Sequence, residues 1–446
     1  MTLRDDTGDL QIAVNKREVT DATLKLAKLT DIGDLVTVRG YLAPTKTGEL
    51  TLWAAEAHGV TPWASEQPAP PTPAFAIAAK SLTPPPSEYY GFADPEQRYR
   101  RRYIDLWANP QVMKLAQARI AVIDAVRDFF KRKGFLEVET PMLQPIHGGA
   151  AARPFQTHHN ALDIPLYLRI APELYLKRLL VGGFRKVFEI NRNFRNEGVS
   201  PRHNPEFTML EAYEAFGSWE TMADLVEEMI CDVAMKVCGT LKIGHPTPEA
   251  PHVRAGLPTR TINLTRPWRR VRMDTLVEER TGWKFDKQPL TPRQIDDLRA
   301  AHKGKDLKLD GTPAEQLVEL YEKLIEPTLI DPCFVTHVPS VVIPLARESR
   351  DDPFFADVYE LAINGVEISP GYSELNDPDV QEKHFHHQVG DREEQQKIDD
   401  DFLDALRVGM PPAGGMGLGI DRVVMMLTGA PSIRDVILFP LMRPQG

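Results

Sequence analysis

Residues 190–207, INRNFRNEGVSPRHNPEF, bring together residue types that could bind a nucleotide polyphosphate. The stretch holds three arginines, two acids, a histidine and a terminal phenylalanine, while one glycine and two prolines interrupt regular structure. Arginine side chains pair with phosphate oxygens, and an aromatic ring stacks on a flat base. A solvated loop needs charge but not this combination, so the pattern predicts a site that holds a polyphosphate and a base.

A second candidate site lies in VYELAINGVEISP, residues 358–370, whose Asn-Gly dipeptide is the strongest short signal for a two-residue β-hairpin turn. Such a turn pairs Ala362 with Glu367 and makes Glu360 and Glu367 diagonal neighbours on one face, about 7–8 Å apart. Two carboxylates so placed repel each other unless a cation lies between them, and oxygen ligands beside a polyphosphate indicate Mg²⁺. A solvent-exposed acid pair is the alternative that spacing alone leaves open.

The third candidate is GGMGLGIDRVVMMLTG, residues 414–429, where closely spaced glycines precede an apolar run. The glycines could suggest a dinucleotide-binding fingerprint, but no β-α-β unit surrounds them. The pattern instead predicts a strand that meets a helix where the backbone approaches a ligand closely, with Arg422 directed back at that ligand.

Composition bounds the protein that carries these residues. The chain has 446 residues, 42% hydrophobic and 26% charged, which predicts a globular protein of two domains. It contains no apolar run of about 18 residues, so we expect no membrane span. Its three cysteines form no CxxC pair, which indicates reduced thiols and a cytoplasmic location. The net charge of −10 argues against non-specific coating of nucleic acid but leaves a local basic patch open.

The elements that must position these residues fall into three predicted regions. Residues 1–61 alternate with period two and predict four strands and a short helix over Thr23–Leu29, as in a small β-barrel. The proline-rich residues 62–88 predict a linker. Residues 89–446 show mixed helix and strand patterns and form the large domain. Because the alternation begins at Met1, we expect the barrel to lack its first strand, through a misplaced start or a true shortening.

Taken together, three segments resemble the signature motifs of class II aminoacyl-tRNA synthetases. KGFLEVETPML (133–143) resembles motif 1, residues 188–213 resemble motif 2, and GMGLGIDRVVMML (415–427) resembles motif 3. The segments APELYLKRLLVGGF and YSELNDP are similar to the lysine-activating branch of bacterial type. The resemblance implies an α+β fold with a six- or seven-stranded antiparallel sheet flanked by helices, preceded by an incomplete OB-fold barrel. It also implies a homodimer formed through motif 1.

The same resemblance implies roles for individual residues in the reaction of an amino acid with ATP. Arg195 would bridge the α-phosphate and the substrate carboxylate, and Phe207 and Arg422 would enclose adenine. Glu197 would receive the adenine amino group and His203 would reach the outer phosphates. The metal ligands for Mg²⁺ would be Glu360, which also belongs to the ATP site, and Glu367.

For the amino acid, the resemblance implies a lysine site. Glu173 and Glu374 would receive the ε-ammonium with a hydroxyl from Tyr213, and Glu211 would receive the α-amino group, while Gly149 and Tyr372 complete the predicted site. A neutral amino acid would then leave buried carboxylates unsatisfied. Glu49 matches an anticodon contact, so tRNA(Lys) is the expected partner.

The chain departs from the family pattern at Ser369-Pro370, where relatives usually carry Gly-Asn. Proline offers no donor, so we expect altered lysine affinity with specificity retained. Two other functions stay open: a paralog that lysylates a protein such as elongation factor P, and an inactive RNA-binding relative. Residues 1–61 argue against the first, and the presence of Arg195, Glu367 and Arg422 argues against the second.

Overall fold

The computed structural model describes residues 1–5, 7–56, 73–83, 92, 94–150, 152–246, 259–388 and 398–445. The chain divides into two compact units, Met1–Met113 and Lys114–Gly446. Among the described residues, no helix combines the length and apolar character needed to cross a membrane.

The N-terminal unit contains six described strands: five within residues 1–61, where four were predicted, and one beyond that range. Its elements are β1 (Thr2–Arg4), β2 (Asp9–Val14), α1 (Asp21–Lys28), β3 (Leu35–Val38), β4 (Gly40–Pro44), β5 (Leu50–Ala54), β6 (Phe75–Ala79), α2 (Pro95–Arg100) and α3 (Arg102–Ala108). Strands β1, β2, β5 and β4 form one sheet in that order, and β3 pairs with β6 in another. The predicted helix is confirmed as α1, whose cap is the hydroxyl of Thr20.

Residues 62–88 were predicted to be a linker, but Phe75–Ala79 within this range form strand β6. It pairs antiparallel with β3, and Phe75 is fully buried in a small core with Ile12 and Ala27. Prolines on both sides of this strand obscure a short apolar run, FAIAA, that has strand character of its own. Most of the rest of the predicted linker lies outside the described residues.

The larger unit is built on long helices and a central sheet. Its elements are α4 (Pro110–Arg132), β7 (Leu136–Glu137), β8 (Leu143–Gln144), β9 (Gln156–His159), β10 (Ile164–Leu168), α5 (Glu173–Val181), β11 (Lys186–Phe194), β12 (Glu206–Ala215), α6 (Trp219–Cys238), β13 (Lys242–Pro246), β14 (Thr259–Asn263), β15 (Arg269–Arg272), α7 (Met273–Thr281), α8 (Pro292–Ala301), α9 (Pro313–Leu320), β16 (Cys333–Thr336), β17 (Val358–Ile363), β18 (Val366–Ser373), α10 (Pro378–Gln388), α11 (Asp400–Gly409), β19 (Ala413–Gly419), α12 (Ile420–Thr428) and α13 (Ile433–Val436).

The central sheet has eight strands in the order β15-β16-β17-β18-β19-β12-β11-β7. It is antiparallel throughout its middle, as predicted, but a parallel strand is added at each edge, β15 beside β16 and β7 beside β11. These short edge strands explain why six or seven strands were predicted. Apolar residues of α4 and α6, such as Phe130 and Met229, are buried in one core with the sheet residue Phe188.

The three signature segments meet in this sheet. Residues of β7 pair with β11, and β11 pairs with β12 across the loop that holds the arginine-rich stretch. Strand β12 also pairs with β19, and α12 begins directly after β19. The predicted strand-to-helix passage at the glycine-rich segment is therefore confirmed, and all three segments converge on neighbouring strands.

Candidate active site

A cavity opens between the arginine-rich loop and the start of α12. The loop runs from the end of β11 to the start of β12, and its side chains share the cavity with residues of β18 and α12. Five residues predicted for ATP line it together: Arg195, Glu197, His203, Phe207 and Arg422. The structure thus places side chains from motifs 2 and 3 around one space, which we call the nucleotide cavity.

Arg195 holds the most distinctive position in this cavity. Its guanidinium carbon lies 5.2 Å from the centroid of the Phe207 ring, within range of a cation–π contact. Among the described residues, its buried Nε atom has no hydrogen-bond partner. Burial lowers the pKa of Arg195, although an arginine remains charged at neutral pH. A charged, largely desolvated donor without a partner is suited to receive an anionic oxygen.

Arg422 is positioned by a hydrogen bond to a backbone carbonyl and by the buried contacts of its sequence neighbour, Asp421. Its Nη1 donates to the carbonyl oxygen of Glu367 at 2.6 Å. The neighbouring Asp421 is buried, and its two oxygens accept from Arg119 Nη1 at 2.5 Å and from the backbone N–H of Thr208 at 2.8 Å. Arg119 also donates to the Thr208 hydroxyl at 3.0 Å, which closes a ring of three bonded residues.

This ring, the Arg119–Asp421–Thr208 clamp, connects α4, α12 and β12. Asp421 directly precedes Arg422, and Thr208 directly follows Phe207, the two residues predicted to enclose adenine. All three residues are buried, so the bonds form in an environment where they are strong. The clamp fixes the spacing of the two walls of the nucleotide cavity.

His203 faces the nucleotide cavity from the tip of the motif 2 loop. Its Nδ1 lies 2.8 Å from the hydroxyl of Ser200. Partial burial, and after it the charge of Arg422, lowers the pKa of His203 below the ordinary histidine value. The imidazole is therefore neutral at physiological pH and can offer one N–H to a phosphate oxygen.

A second cavity, with a volume of about 320 Å³, adjoins the first. Arg195, Met209, Glu367 and Pro370 line both cavities. The walls include five of the six residues predicted for lysine: Gly149, Glu173, Glu211, Tyr213 and Tyr372. We call this space the amino-acid cavity. Arg195 is thus the cationic side chain shared by the two cavities.

Glu211 is a buried acid on the floor of the amino-acid cavity. It lies on β12 opposite Gly417 of β19 and accepts a hydrogen bond from the Tyr213 hydroxyl at 3.1 Å. Burial, followed by the negative charge of Glu173, raises the pKa of Glu211 to about 8. Such a carboxyl gains most from a cationic partner, because a nearby positive charge favours its ionised form.

Glu374, the sixth predicted lysine residue, does not line either cavity. It is 2% exposed and bonded behind the wall to Lys177, whose Nζ lies 2.5 Å from Glu374 Oε2 and 2.9 Å from Glu173 Oε1. Gly415 packs directly against Glu374, and a side chain at this position would overlap Glu374 and the Tyr213 ring. Lys177 thus supplies a resident positive charge to both acids, yet Oε1 of Glu173 and both carboxylate oxygens of Glu374 have no hydrogen-bond partner among the described residues. The predicted pairing of these acids with a substrate ammonium stays a prediction.

The predicted hairpin of β17 and β18 is confirmed at its turn, but the strand pairing farther from the turn differs from the predicted register. Ala362 opposes Glu367, and Asn364 and Gly365 have φ values of 60° and 72°, as the turn requires. A bulge next to Ala362 then shifts the register, so that Glu360 opposes Pro370. The predicted diagonal relation of the two acids is wrong for this reason.

Glu360 and Glu367 nevertheless share the amino-acid cavity. Burial, and next the charge of Glu367, raises the pKa of Glu360 well above its ordinary value. Among the described residues, no three His, Cys, Asp or Glu side chains form a group that could hold a metal. The pair fits Mg²⁺ only if further oxygen ligands come from a bound polyphosphate, which is how this ion is commonly held.

Glu49 lies in the N-terminal unit and is exposed in the turn between β4 and β5. The turn is closed by a hydrogen bond from the Thr45 N–H to the Glu49 carbonyl at 2.8 Å. Its carboxylate is therefore accessible to a partner on the surface of this unit.

Sequence reasoning missed Lys177 and the Arg119–Asp421–Thr208 clamp. The Glu173–Lys177 pair has a local signal, because a Glu four residues before a Lys forms a pair whenever the segment is helical, as it is in α5. The clamp has no such signal, since 302 positions separate Arg119 from Asp421.

Comparison with known families agrees with this architecture. Residues 94–443 match the family described as tRNA synthetases class II (D, K and N), and residues 1–58 match the OB-fold nucleic acid binding domain. The chain therefore belongs to the class II tRNA synthetases of the D, K and N group, as the three motifs indicated.

Among individual relatives, the similarity extends over nearly the whole chain. A Lysine–tRNA ligase of Carboxydothermus hydrogenoformans is 47% identical, covering 99% of this chain and 85% of that protein. A Lysine–tRNA ligase of Pelotomaculum thermopropionicum is 46% identical over 99% of this chain and 82% of that protein. A Lysine–tRNA ligase of Synechococcus sp. strain CC9311 is 44% identical, with coverage of 100% and 86%.

Proposed function

We propose that the protein is a lysine–tRNA ligase, which activates L-lysine with ATP and transfers it to tRNA(Lys). The observation that carries this proposal is the position of Arg195 at the junction of the two cavities. One cavity has an aromatic ring and cations for a nucleotide, and the other has buried acids for a diamino acid. The similarity to relatives with this name supports the same conclusion.

The proposed first step is attack of the lysine carboxylate on the α-phosphorus of ATP, which expels pyrophosphate and forms lysyl-adenylate. The nucleophile is already ionised, so positioning and charge neutralisation do the catalysis. Arg195 would contact both the carboxylate and the α-phosphate, while Phe207 and Arg422 hold adenine between them. Glu197 would accept from the adenine amino group, and His203 would donate to the outer phosphates.

On the amino-acid side, Glu211 would pair with the α-ammonium and Glu173 with the ε-ammonium of lysine. Tyr213 would add its hydroxyl, Gly149 and Tyr372 would shape the wall, and Glu374 would act from behind it. Pro370 lines both cavities in place of a residue that could donate. Glu360 and Glu367 would hold Mg²⁺ together with ATP, and the ion would neutralise phosphate charge.

We further propose a homodimer that forms through motif 1. Three apolar residues of this segment are exposed in the single chain: Leu136 at 56%, Met142 at 42% and Leu143 at 48%. Apolar groups clustered at a surface favour burial against a second copy. The proposed location is the cytoplasm, where three free cysteines remain reduced.

The test is ATP–pyrophosphate exchange with each of the twenty amino acids in the absence of tRNA. Exchange that depends on lysine alone is the expected result. Exchange driven by another amino acid would overturn the lysine assignment, and no exchange with any of them would overturn the adenylation function.

A further inference from the structure

Lys177 is the most deeply buried cation of the larger unit's active site. Its side chain is fully buried on α5, and its Nζ contacts Glu173 Oε1 at 2.9 Å, Glu374 Oε2 at 2.5 Å and the Leu345 carbonyl at 3.2 Å. The Leu345 carbonyl accepts a hydrogen bond from this ammonium group, and the two carboxylates are its ion-pair partners. The two carboxylates are the same ones that the proposed function assigns to the substrate's ε-ammonium.

We propose that Lys177 is a specificity-determining residue, a resident counter-ion that holds Glu173 and Glu374 ionised and apart so that the cavity can accept a second ammonium. This inference rests on the proposed function. Two buried carboxylates without a cation would share a proton, because like charges at close range cannot both remain ionised. A protonated pair would then bind a neutral side chain nearly as well as a charged one.

The two acids have different roles because only one of them lines the amino-acid cavity. Glu173 lines the amino-acid cavity, whereas Glu374 lies behind it. The substrate therefore contacts Glu173 directly, and Lys177 connects Glu173 to Glu374. Lys177 is a positioning residue in this scheme, since it acts on the substrate through Glu173.

The surrounding charges agree with this role. Burial raises the pKa of Glu374 to about 7, and Lys177 is the group that opposes this rise. Burial lowers the pKa of Lys177, but the charges of Glu173 and Glu374 outweigh burial and raise this pKa above the ordinary lysine value, so the ammonium stays charged. Among the described residues, the other titratable groups of the amino-acid cavity are Glu211 and Tyr213 on β12, Glu360 on β17, Glu367 and Tyr372 on β18, and Arg195.

The experiment compares the binding of lysine with that of norleucine, which has the same α-amino and carboxyl groups but no ε-amine. The ratio of the two dissociation constants, measured by calorimetry on the full chain from pH 6 to 8.5, cancels the titration of Glu211. In the unmodified protein we expect preference for lysine to decline only below about pH 7, where Glu374 takes up a proton. In Lys177→Met, the decline should begin at least one pH unit higher, so that selectivity at pH 7 falls by at least about tenfold.

Two further variants keep the proposal falsifiable. Lys177→Met with Glu374→Gln removes one charge of each sign and leaves Glu173 alone, so it should recover the preference for lysine at pH 7 that Lys177→Met loses. If Lys177→Met does not fold, this double variant and Lys177→Arg still test the idea, since both should prefer lysine at pH 7. Lys186→Met is the matched control, because it removes a lysine from a partly exposed pair with Glu214 at 2.7 Å and should change nothing.

The outcomes separate the two proposals. If the unmodified protein does not prefer lysine to norleucine, the proposed function fails. If it prefers lysine and Lys177→Met shows the same selectivity at every pH, the role of Lys177 is overturned while the proposed function stands. If lysine selectivity declined at the same higher pH in the double variant as in Lys177→Met, the role of Lys177 would also be contradicted. The balance of charges between Lys177 and the two acids would then not be the cause of the decline.

Discussion

At the scale of single residues, Arg195 should contribute to the rate of activation more than to binding. It shares both cavities and offers a donor without a partner among the described residues. Arg195→Met should lower kcat of lysine-dependent pyrophosphate exchange by about 10²–10³-fold, the usual cost of removing one preorganised donor from developing negative charge. Arg192→Met is the control, because Arg192 faces a surface partner, Glu206, at 3.6 Å. Equal losses in the two variants would contradict a specific role for Arg195.

Glu211 predicts a pH dependence of lysine binding. Its folded-state pKa is raised to about 8, so below that pH the carboxyl holds a proton that the α-ammonium of lysine must displace. As pH falls from 8 to 6, KM for lysine should therefore rise by up to about tenfold per unit from this group. Glu211→Gln cannot titrate and should bind weakly with a flatter profile. A profile that is equally steep in both proteins would assign the titration to another group.

At the scale of elements, the Arg119–Asp421–Thr208 clamp should affect ATP more than lysine. Thr208→Val removes the hydroxyl that accepts from Arg119 at 3.0 Å but leaves the backbone bond to Asp421. Loss of one buried hydrogen bond costs about 1–3 kcal/mol, so the walls should lose their spacing and KM for ATP should rise about tenfold. Thr208→Ser retains the hydroxyl and should behave as the unmodified protein. A change in KM for lysine alone would show that the clamp does not position the nucleotide cavity.

The hairpin turn that carries Glu367 should be sensitive to a single methyl group. Gly365 has a positive φ, and a Cβ there would lie 2.8 Å from the Pro327 carbonyl oxygen. Gly365→Ala should lower the free energy of unfolding by about 1–2 kcal/mol from backbone strain, and further because of this contact. Gly239→Ala is the matched control, since Gly239 has a similar φ of 69° and nothing within 4 Å. Thermal unfolding of both variants should show the larger loss for Gly365→Ala, and equal losses would exclude the contact.

Local signals explain which parts of the site could be predicted from sequence. The Asn-Gly turn fixes its own register, so the pairing of Ala362 with Glu367 was predictable. The bulge beyond it depends on how β18 also meets β19, which no local pattern records. Strand β6 was hidden for a similar reason, because its strand character becomes decisive only through pairing with β3.

At the scale of the whole molecule, the contacts that could not be predicted are those between residues far apart in the sequence. The three signature motifs, each continuous in sequence, identified the fold and contain the residues predicted for the nucleotide cavity, whereas Gly149, Glu173 and Tyr372 of the amino-acid cavity lie in other segments. The partner of Glu374 is Lys177, nearly two hundred positions earlier, and sequence spacing cannot pair two such residues. Buried ion pairs of this kind are specified by tertiary packing rather than by helix or strand periodicity.

The division into two units predicts that tRNA recognition and lysine activation can be altered separately. Glu49 is exposed in the β4–β5 turn of the unit that matches an OB-fold nucleic acid binding domain, and the cavities lie in the other unit. Glu49→Gln should raise KM for tRNA(Lys) in aminoacylation by about 5–100-fold, the range for loss of one base contact of about 1–3 kcal/mol. Pyrophosphate exchange should not change, because it requires no tRNA. Asp31→Asn, an exposed acid after α1, should affect neither assay. A fall in exchange for Glu49→Gln would contradict the separation of the two activities, and unchanged aminoacylation would remove Glu49 from the tRNA contact.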